Sequence, residues 1–177
     1  MSDYVFDMAR RNGHLTRDNL GYLLAKAVQR WNGMLQDGFR REGFGHVRPS
    51  FGSVLIPLYE EDGLRLGELA RRAQLTKQTM TTIVRAVEAA GLVTLRPDPD
   101  DGRASRAWLT AEARRFEPVA ARVLADIERT VASEGPASEL RAARRWLQGF
   151  VGFRTEHPRT MRGHPIERGE DHEHEHA

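Results

Sequence analysis

The segment Leu64–Thr110 constrains the fold of this chain more than any other part of the sequence. It predicts two short helices joined by a tight turn and followed by a β-hairpin. Gly67 can serve as the N-cap of the first helix. The apolar face of that helix consists of Leu69, Ala70 and Ala73. In the turn, we expect Leu75 to be buried and the hydroxyl of Thr76 to accept a hydrogen bond from a backbone N–H of the second helix.

The second predicted helix has one apolar and one polar face. Its apolar side chains follow the i, i+3, i+4, i+7 spacing and are Met80, Ile83, Val84 and Val87. Its polar face carries an amide, hydroxyls and cations on Lys77, Gln78, Thr81, Thr82 and Arg85. Gly91 is placed to end the helix. Because such groups pair with base edges and phosphates, we expect this helix to lie in a DNA major groove.

The predicted β-hairpin is rich in Arg and Asp. Its strands are expected at Leu92–Arg96 and Ala104–Leu109, because Pro97–Gly102 between them cannot continue a regular element. Arg103 would stand near the tip, where a guanidinium could enter the minor groove beside the helix. We expect Asp101 to hold that guanidinium by a charge-assisted hydrogen bond.

Several short motifs follow one another in a defined order through this segment. They are Glu68-Leu69-Ala70, Leu75-Thr76-Lys77, Gly91-Leu92-Val93, Asp98-Pro99, Asp101-x-Arg103 and Leu109-Thr110. In this order they resemble the MarR family of winged helix-turn-helix regulators. Thr82 and Leu95 depart from the resemblance, since MarR-like proteins often have Arg at these positions, and Ala113 stands where glycine is usual.

The resemblance implies a mainly α fold with a small β-hairpin wing, in which a winged helix-turn-helix domain is flanked by N- and C-terminal dimerisation helices. MarR-like proteins are typically homodimers that commonly repress transcription and release DNA when a small, often aromatic or phenolic, effector binds. We therefore expect a ligand-responsive repressor that binds a pseudo-palindromic operator in double-stranded DNA. The residues expected to contact DNA, or to orient such a contact, are Thr76, Lys77, Gln78, Thr79, Thr81, Thr82, Arg85, Asp101, Arg103 and Arg106.

Apolar stripes on both sides of this segment predict longer helices. One stripe runs from Leu20 to Phe39, and two others run from Phe116 to Val131 and from Leu140 to Val151. A small winged domain cannot bury all of this surface, so we expect the helices to pack against a second copy. The predicted organisation is a flexible arm at residues 1–16, a dimerisation helix and loop at 17–48, the winged domain at 49–110, dimerisation helices at 111–157 and a disordered acidic tail at 158–177.

An effector pocket is expected where the first long helix meets the second. Trp31, His46, Arg48 and Phe51 lie there, and an aromatic wall beside a cation would suit an amphipathic anion. The alternative is that each of these residues belongs to the core or to an interface, as aromatic side chains at helical spacing usually do.

Composition limits the remaining classes of function. The chain has no Cys, which excludes disulfides and thiolate metal sites, and no apolar run of membrane-spanning length, so a cytoplasmic protein is expected. The segment from Leu64 to Arg115 contains ten Lys or Arg residues but only six Asp or Glu residues, so the basic surplus lies in the winged segment. The alternative is that these arginines are ordinary solvated surface residues.

An enzyme and a metal site are both disfavoured. The carboxylates of Asp98, Asp100 and Asp101 lie in a Pro-rich turn without a partner at catalytic or ligand spacing, and no cofactor is predicted. Alternate histidines in the segment 171–176 could chelate Zn or Ni in an extended tail. A disordered solubilising tail or an expression-tag remnant is the preferred interpretation, because no fold fixes these ligands.

A protein-interaction module is the alternative to a DNA-binding regulator. In that case the winged fold would be retained while DNA contact is weak or lost. Its support is that Thr82 and Leu95 stand where cations are often found, and that Trp108 is expected to be exposed on the wing.

Overall fold

A computed structural model describes residues 17–152 of the chain. The helices are α1 (Leu20–Arg41), α2 (Gly52–Glu60), α3 (Leu66–Arg72), α4 (Lys77–Ala89), α5 (Ala111–Ala132) and α6 (Ala137–Phe150), and a 3-10 turn at Pro49–Phe51 precedes α2. The strands are β1 (Leu64–Arg65), β2 (Val93–Pro97) and β3 (Ser105–Leu109). This is the predicted mainly α fold with a small wing. The predicted arm at 1–16 and tail at 158–177 lie outside the described residues.

The chain divides into two compact units, and the boundary along the sequence lies between Glu134 and Gly135. The first unit contains the elements from α1 to α5, and the second contains α6. Within α6 no residue is buried, and the rings of Trp146 and Phe150 stack with their centroids 5.1 Å apart. None of the helices in residues 17–152 is long and apolar enough to cross a membrane.

The turn between α3 and α4 is set by the way in which α3 ends. Leu75 donates its backbone N–H to the carbonyl of Ala70 at 2.9 Å, and Gln74 donates to Arg71 at 3.2 Å. This pair of bonds is a Schellman motif, and it requires the left-handed φ of 54° found at Gln74. Leu75 is half-buried against the core rather than fully buried.

The predicted N-cap of α3 at Gly67 is wrong. The helix begins one residue earlier, at Leu66, and the extended residue before it is Arg65. The reason is that Leu64 and Arg65 pair with β3 as the two-residue strand β1, so the chain passes directly from strand to helix.

Both ends and the buried face of α4 follow the sequence prediction. The hydroxyl of Thr76 accepts a hydrogen bond from the backbone N–H of Thr79 at 3.1 Å, which confirms the N-cap. The inward side chains Met80, Val84 and Val87 are fully buried, and Ile83 is half-buried against the core. Gly91 follows the helix with a φ of +75°, which confirms its place just beyond the C-terminus.

The sheet has the order β1-β3-β2, and both pairings are antiparallel. β3 is therefore central, and β2 and β1 are edge strands. The register places Leu95 opposite Ala107, which is fully buried. This register directs one face of the wing into the core of the first unit.

The core of the first unit joins the helix-turn-helix to α1, α2 and α5. Phe39 of α1 meets Phe116 of α5 edge to face, with ring centroids 4.9 Å apart. Gly38 allows α1 to approach α5 closely, since a Cβ at this position would lie 2.4 Å from a methyl of Val123. The core thereby holds the helix-turn-helix against the two long helices of this unit.

Candidate nucleic-acid interface

The outward face of α4 carries most of the predicted DNA contacts. Gln78, Thr82 and Arg85 are exposed and follow one another at i, i+4 and i+7, on the side opposite the buried face. Lys77 and Thr79 are exposed in the first turn, beside the N-cap. Thr81 lies at the edge of this face and is half-buried. The predicted outward orientation is confirmed, and contact with DNA stays a prediction.

The threonine hydroxyls of this face are engaged with the protein itself. The hydroxyl of Thr81 donates to the carbonyl of Lys77 at 2.8 Å, and that of Thr82 donates to the carbonyl of Gln78 at 3.1 Å. The hydroxyls of Thr76 and Thr79 lie 2.8 Å apart and bond to each other. In contrast, the side-chain amide of Gln78 has no hydrogen-bond partner within residues 17–152.

The cations of residues 49–110 fall into two groups of four. The first group is engaged in ion pairs and consists of Arg65, Arg71, Arg72 and Arg106. The second group has no ion pair with any described residue and consists of Lys77, Arg85, Arg96 and Arg103. We call this second group the free cations. All of them lie on α4 or on the wing, where the helix-turn-helix prediction requires positive charge.

Asp98 is the buried charged residue of the wing, at 3 % exposure. Its carboxylate accepts hydrogen bonds from the guanidinium groups of Arg65 and Arg106, each with a shortest distance of 2.6 Å. It also accepts from the backbone N–H groups of Asp100 and Asp101, at 2.9 and 3.2 Å. The hydrogen bond from Arg65, chiefly, holds the pKa of Asp98 well below its usual range, although burial opposes the shift. Asp98 therefore fastens β1, β3 and the wing tip to one another.

Two predictions about the wing need correction. Asp101 accepts a hydrogen bond from the backbone N–H of Arg103 at 3.0 Å, not from its guanidinium, because Asp101 turns back within the tight loop. Arg106 was expected to contact DNA, but it is half-buried and its guanidinium is engaged with Asp98. Arg103 therefore remains as the exposed cation near the tip.

Trp108 is half-buried rather than exposed. Its indole covers Gly63, where an added Cβ would lie 2.5 Å from the ring. The guanidinium of Arg96 lies 5.8 Å from the centroid of the same indole, in the range of a cation–π contact. This packing removes one of the observations that favoured a protein-interaction module.

A hydrogen bond that the sequence analysis missed connects α4 to the wing. Glu88, in the last turn of α4, accepts from the backbone N–H of Leu95 at 3.0 Å. Leu95 belongs to the edge strand β2. Its N–H points away from β3, and no other strand pairs with this edge among the described residues. The helix dipole disfavours a carboxylate in the last turn of a helix. The position of Glu88 in the sequence could therefore have indicated that its carboxylate has a specific hydrogen-bond partner.

A cavity of about 340 Å³ lies between α1, α2 and α5. Trp31 and Arg48 line it, as predicted, together with Tyr59. Phe51 was expected in this pocket but is buried in the core at 3 % exposure, and His46 is exposed on the loop with its ring beside Phe44.

Tyr59 connects this cavity to α5. Its hydroxyl donates to the backbone carbonyl of Ala113 at 2.9 Å. Burial, with a smaller effect of the nearby Glu117 carboxylate, raises the pKa of Tyr59 to about 12, so the phenol stays neutral. No cluster of three or more His, Asp or Glu side chains suitable for a metal is present in residues 17–152, and the histidines of the tail lie outside this range.

Two solved structures have a fold similar to that of this chain. The solved structure of PcaV from Streptomyces coelicolor, in complex with its natural ligand, matches with a TM-score of 0.67 at 20% identity, over 79% of this chain and 97% of that chain. Reduced AbfR bound to DNA matches with a TM-score of 0.59 at 16% identity, over 85% of this chain and 96% of that chain.

A family model and a relative both match the sequence of this chain. The profile described as the MarR family matches residues 49–105. An HTH-type transcriptional repressor of Mycobacterium tuberculosis is 34% identical, over 58% of this chain and 83% of the repressor. With the helix-turn-helix and wing described above, these matches show that the chain belongs to the MarR family of transcriptional regulators.

Proposed function

We propose that this protein is an effector-responsive repressor that binds a pseudo-palindromic operator as a homodimer. The observation that carries the proposal is the location of the free cations, Lys77, Arg85, Arg96 and Arg103, on α4 and the wing. Cations that are not neutralised by the protein's own carboxylates are available to phosphates and base edges. DNA offers both phosphates and base edges, and AbfR, which has a similar fold, was solved bound to DNA.

The dimer is supported by exposed apolar side chains in both units. On α1 these are Leu20, Leu23 and Val28, of which Val28 is 58% exposed. On α6 and just after it they are Leu140, Trp146, Leu147, Phe150 and Val151, of which Phe150 is 67% exposed. A helix that exposes several large apolar side chains normally has them covered, and a second copy supplies an identical surface.

A two-fold dimer determines the form of the operator. It presents two copies of α4, and copies about 34 Å apart would enter successive major grooves on one side of the duplex. The half-sites are then related by the same two-fold axis as the protein, which is why we propose a pseudo-palindrome. Sedimentation equilibrium at micromolar concentration tests the dimer, and a monomer under these conditions would contradict it.

The effector is proposed to bind in the cavity between α1, α2 and α5. The walls of the cavity are mainly apolar, and Arg48 is one of its lining residues and has no ion pair with any described residue. A small aromatic or phenolic anion fits this combination. The similar fold of PcaV was solved with its natural ligand. An effector lowers operator affinity only to the extent that it prefers the dimer form that binds DNA poorly.

Fluorescence anisotropy tests the central proposal. The labelled duplex is the region upstream of the protein's own gene, and a shuffled duplex of equal length is the reference. At physiological salt we expect the upstream duplex to bind at least about tenfold more tightly than the shuffled one. Equal affinity for both would contradict an operator-binding function and would favour the protein-interaction module.

A pair of variants connects that measurement to the free cations. Arg85→Ala removes a free cation from α4, whereas Arg129→Ala removes an exposed arginine of α5 that is paired with Asp126. The change in charge is the same. We expect Arg85→Ala to weaken operator binding at least about fivefold and Arg129→Ala to leave it unchanged. Equal effects would mean that charge alone, and not the surface of α4, determines binding.

A further inference from the structure

We propose that Gln78 and Thr82 make this protein select A·T pairs at two neighbouring positions of each half-site, with Gln78 reading adenine and the γ-methyl of Thr82 contacting the 5-methyl of thymine. This inference rests on the proposed function and specifies the sequence that its operator contains.

The two side chains lie next to each other on the surface available to DNA. They are one helical turn apart, at i and i+4, and both are exposed on the face of α4 opposite the buried Met80 and Val84. The Cβ atoms of side chains at this spacing stand about 6 Å apart, and adjacent base pairs are about 3.4 Å apart, so the two side chains can reach neighbouring base pairs. They therefore meet the same part of the groove.

The hydroxyl of Thr82 is not a donor to DNA. Its hydrogen is engaged with the carbonyl of Gln78 at 3.1 Å, within the helix. A threonine hydroxyl has one hydrogen, so Thr82 can offer DNA only the acceptor lone pairs of its oxygen and its γ-methyl. In the major groove, thymine offers a methyl group, and a threonine methyl makes apolar contact with it.

Gln78 supplies the complementary reading of adenine. Its side-chain amide has no partner among the described residues, so both its carbonyl and its N–H₂ group are available. Adenine offers an acceptor at N7 and a donor at N6, and a glutamine amide bonds to both at once. Guanine is read most often by a cation, and cytosine by a carboxylate.

The carboxylate of α4 is not available for cytosine. Glu88 is its acid, and it is engaged with the backbone N–H of Leu95 at 3.0 Å. Arg85, at the next position of the same stripe, is the cation that can contact guanine or a phosphate. The centre of the face therefore favours A·T pairs beside Gln78 and Thr82.

The test begins with selection of duplexes from a randomised library by the full-length protein. We expect each enriched half-site to contain an A·T pair next to a second A·T pair. Thymine is then replaced by deoxyuridine, one position at a time, which removes only the 5-methyl group. At one position per half-site we expect wild-type affinity to fall about fourfold, the value of one buried methyl-sized group.

Variants of Thr82 identify the group that senses this methyl. Thr82→Ser keeps the hydroxyl and its bond to the Gln78 carbonyl but lacks the methyl, so it should bind the thymine and uracil duplexes equally. Thr82→Val keeps a methyl at the same place and should retain the fourfold preference. Thr130→Ser is the matched control, because Thr130 lies on α5, is exposed and makes the same type of hydroxyl bond, to the carbonyl of Asp126. It should also retain the preference.

The outcomes separate this inference from the proposed function. An enriched operator with G·C at these positions would overturn the A·T reading but not the proposed repressor function. The same holds if replacement of thymine by deoxyuridine changes the affinity of wild type and of Thr82→Ser equally. Loss of the preference in Thr82→Val would overturn it as well, since the hydroxyl would then be the sensing group. Failure to enrich any common sequence would overturn both proposals.

Discussion

Glu88 accepts a hydrogen bond from the backbone N–H of Leu95, and this bond joins the end of the recognition helix α4 to the open edge of the wing. Both residues are half-buried, so water does not fully replace the bond if it is lost. This bond therefore links the wing to α4 at a point outside the polar face formed by Gln78, Thr82 and Arg85.

Removing this acceptor should destabilise the protein. Glu88→Ala leaves the N–H of Leu95 without a partner, and we expect the free energy of unfolding to fall by about 1–3 kcal/mol, measured by urea denaturation. Glu88→Gln keeps a carbonyl acceptor and is the control, which should retain most of the stability. If both variants unfold at the wild-type urea concentration, the bond does not contribute to the folded state.

Two wing arginines should respond differently to the same substitution. Arg103→Ala removes a free cation, so the slope of log affinity against log salt should decrease by about 1 per half-site, with an unchanged melting temperature. Arg106→Ala should instead lower the melting temperature, because it removes a partner of the buried Asp98. The prediction is wrong if Arg103→Ala leaves the salt slope unaltered, or if Arg106→Ala melts like wild type.

Acid should destabilise the protein in a defined pH range. Hydrogen bonds from Arg71 and Arg72 lower the pKa of Glu68 from 4.5 to about 2, and Asp98 is shifted in the same direction. The unfolded chain therefore binds protons that the folded chain does not, and stability rises with pH in this window. We expect a constant free energy of unfolding above about pH 5 and a decrease as the pH falls from 4.5 towards 2.

Urea unfolding between pH 2.5 and 6 measures this effect. Glu68→Gln is the matched variant, since it cannot titrate and should show a shallower dependence on pH. A variant whose pH dependence equals that of wild type would show that Glu68 contributes nothing to the slope.

Two glycines with the same backbone conformation should differ in their tolerance of alanine. Gly91 has a φ of +75° and no heavy atom within 4 Å of an added Cβ, so Gly91→Ala should cost only the backbone strain of about 1–2 kcal/mol. Gly63 has a φ of +73°, and its added Cβ would lie 2.5 Å from the indole of Trp108. Gly63→Ala should therefore cost about 1–3 kcal/mol more. Thermal denaturation of both variants checks the order, and equal costs would mean that Trp108 moves aside freely.

The cavity prediction concerns Arg48. If the effector is an aromatic anion, Arg48→Ala should raise the concentration of a substituted benzoate needed for half-release of the operator, by about tenfold for a lost charge-assisted bond. Operator affinity without benzoate should not change, because Arg48 lies outside the helix-turn-helix. An uncharged benzamide should be insensitive to the substitution. Anisotropy titrations give all three results, and an equal shift for benzoate and benzamide would exclude an ionic role for Arg48.

The sequence predicted those features that depend on neighbouring residues. Thr76 caps α4, and Met80, Val84 and Val87 are buried, because capping and helical periodicity are local properties. Gly91 was identified for the same reason. The exposed polar face of α4 followed directly from the position of its buried face.

Features that depend on distant residues were not predicted. Strand β1 has only two residues and forms because Leu64 meets Ala107, which lies far along the chain. The ion pair of Arg106 with Asp98 and the contact of Trp108 with Gly63 also arise from tertiary packing. The sequence placed Phe51 in the pocket because helical spacing gives the direction of a side chain but not the neighbour that covers it.

The arrangement around Asp98 has a consequence for selectivity. A substitution of Asp98 by Asn would add one positive charge to the wing, which strengthens attraction to any duplex. It would also replace one of the two carboxylate oxygens by an N–H₂ donor, so the two arginines and the two backbone amides could no longer all bond to this side chain. The same change would thus raise the affinity for any duplex and lower the selectivity for the operator. A buried carboxylate of the wing would in this way influence how far the protein distinguishes its own site from the rest of the genome.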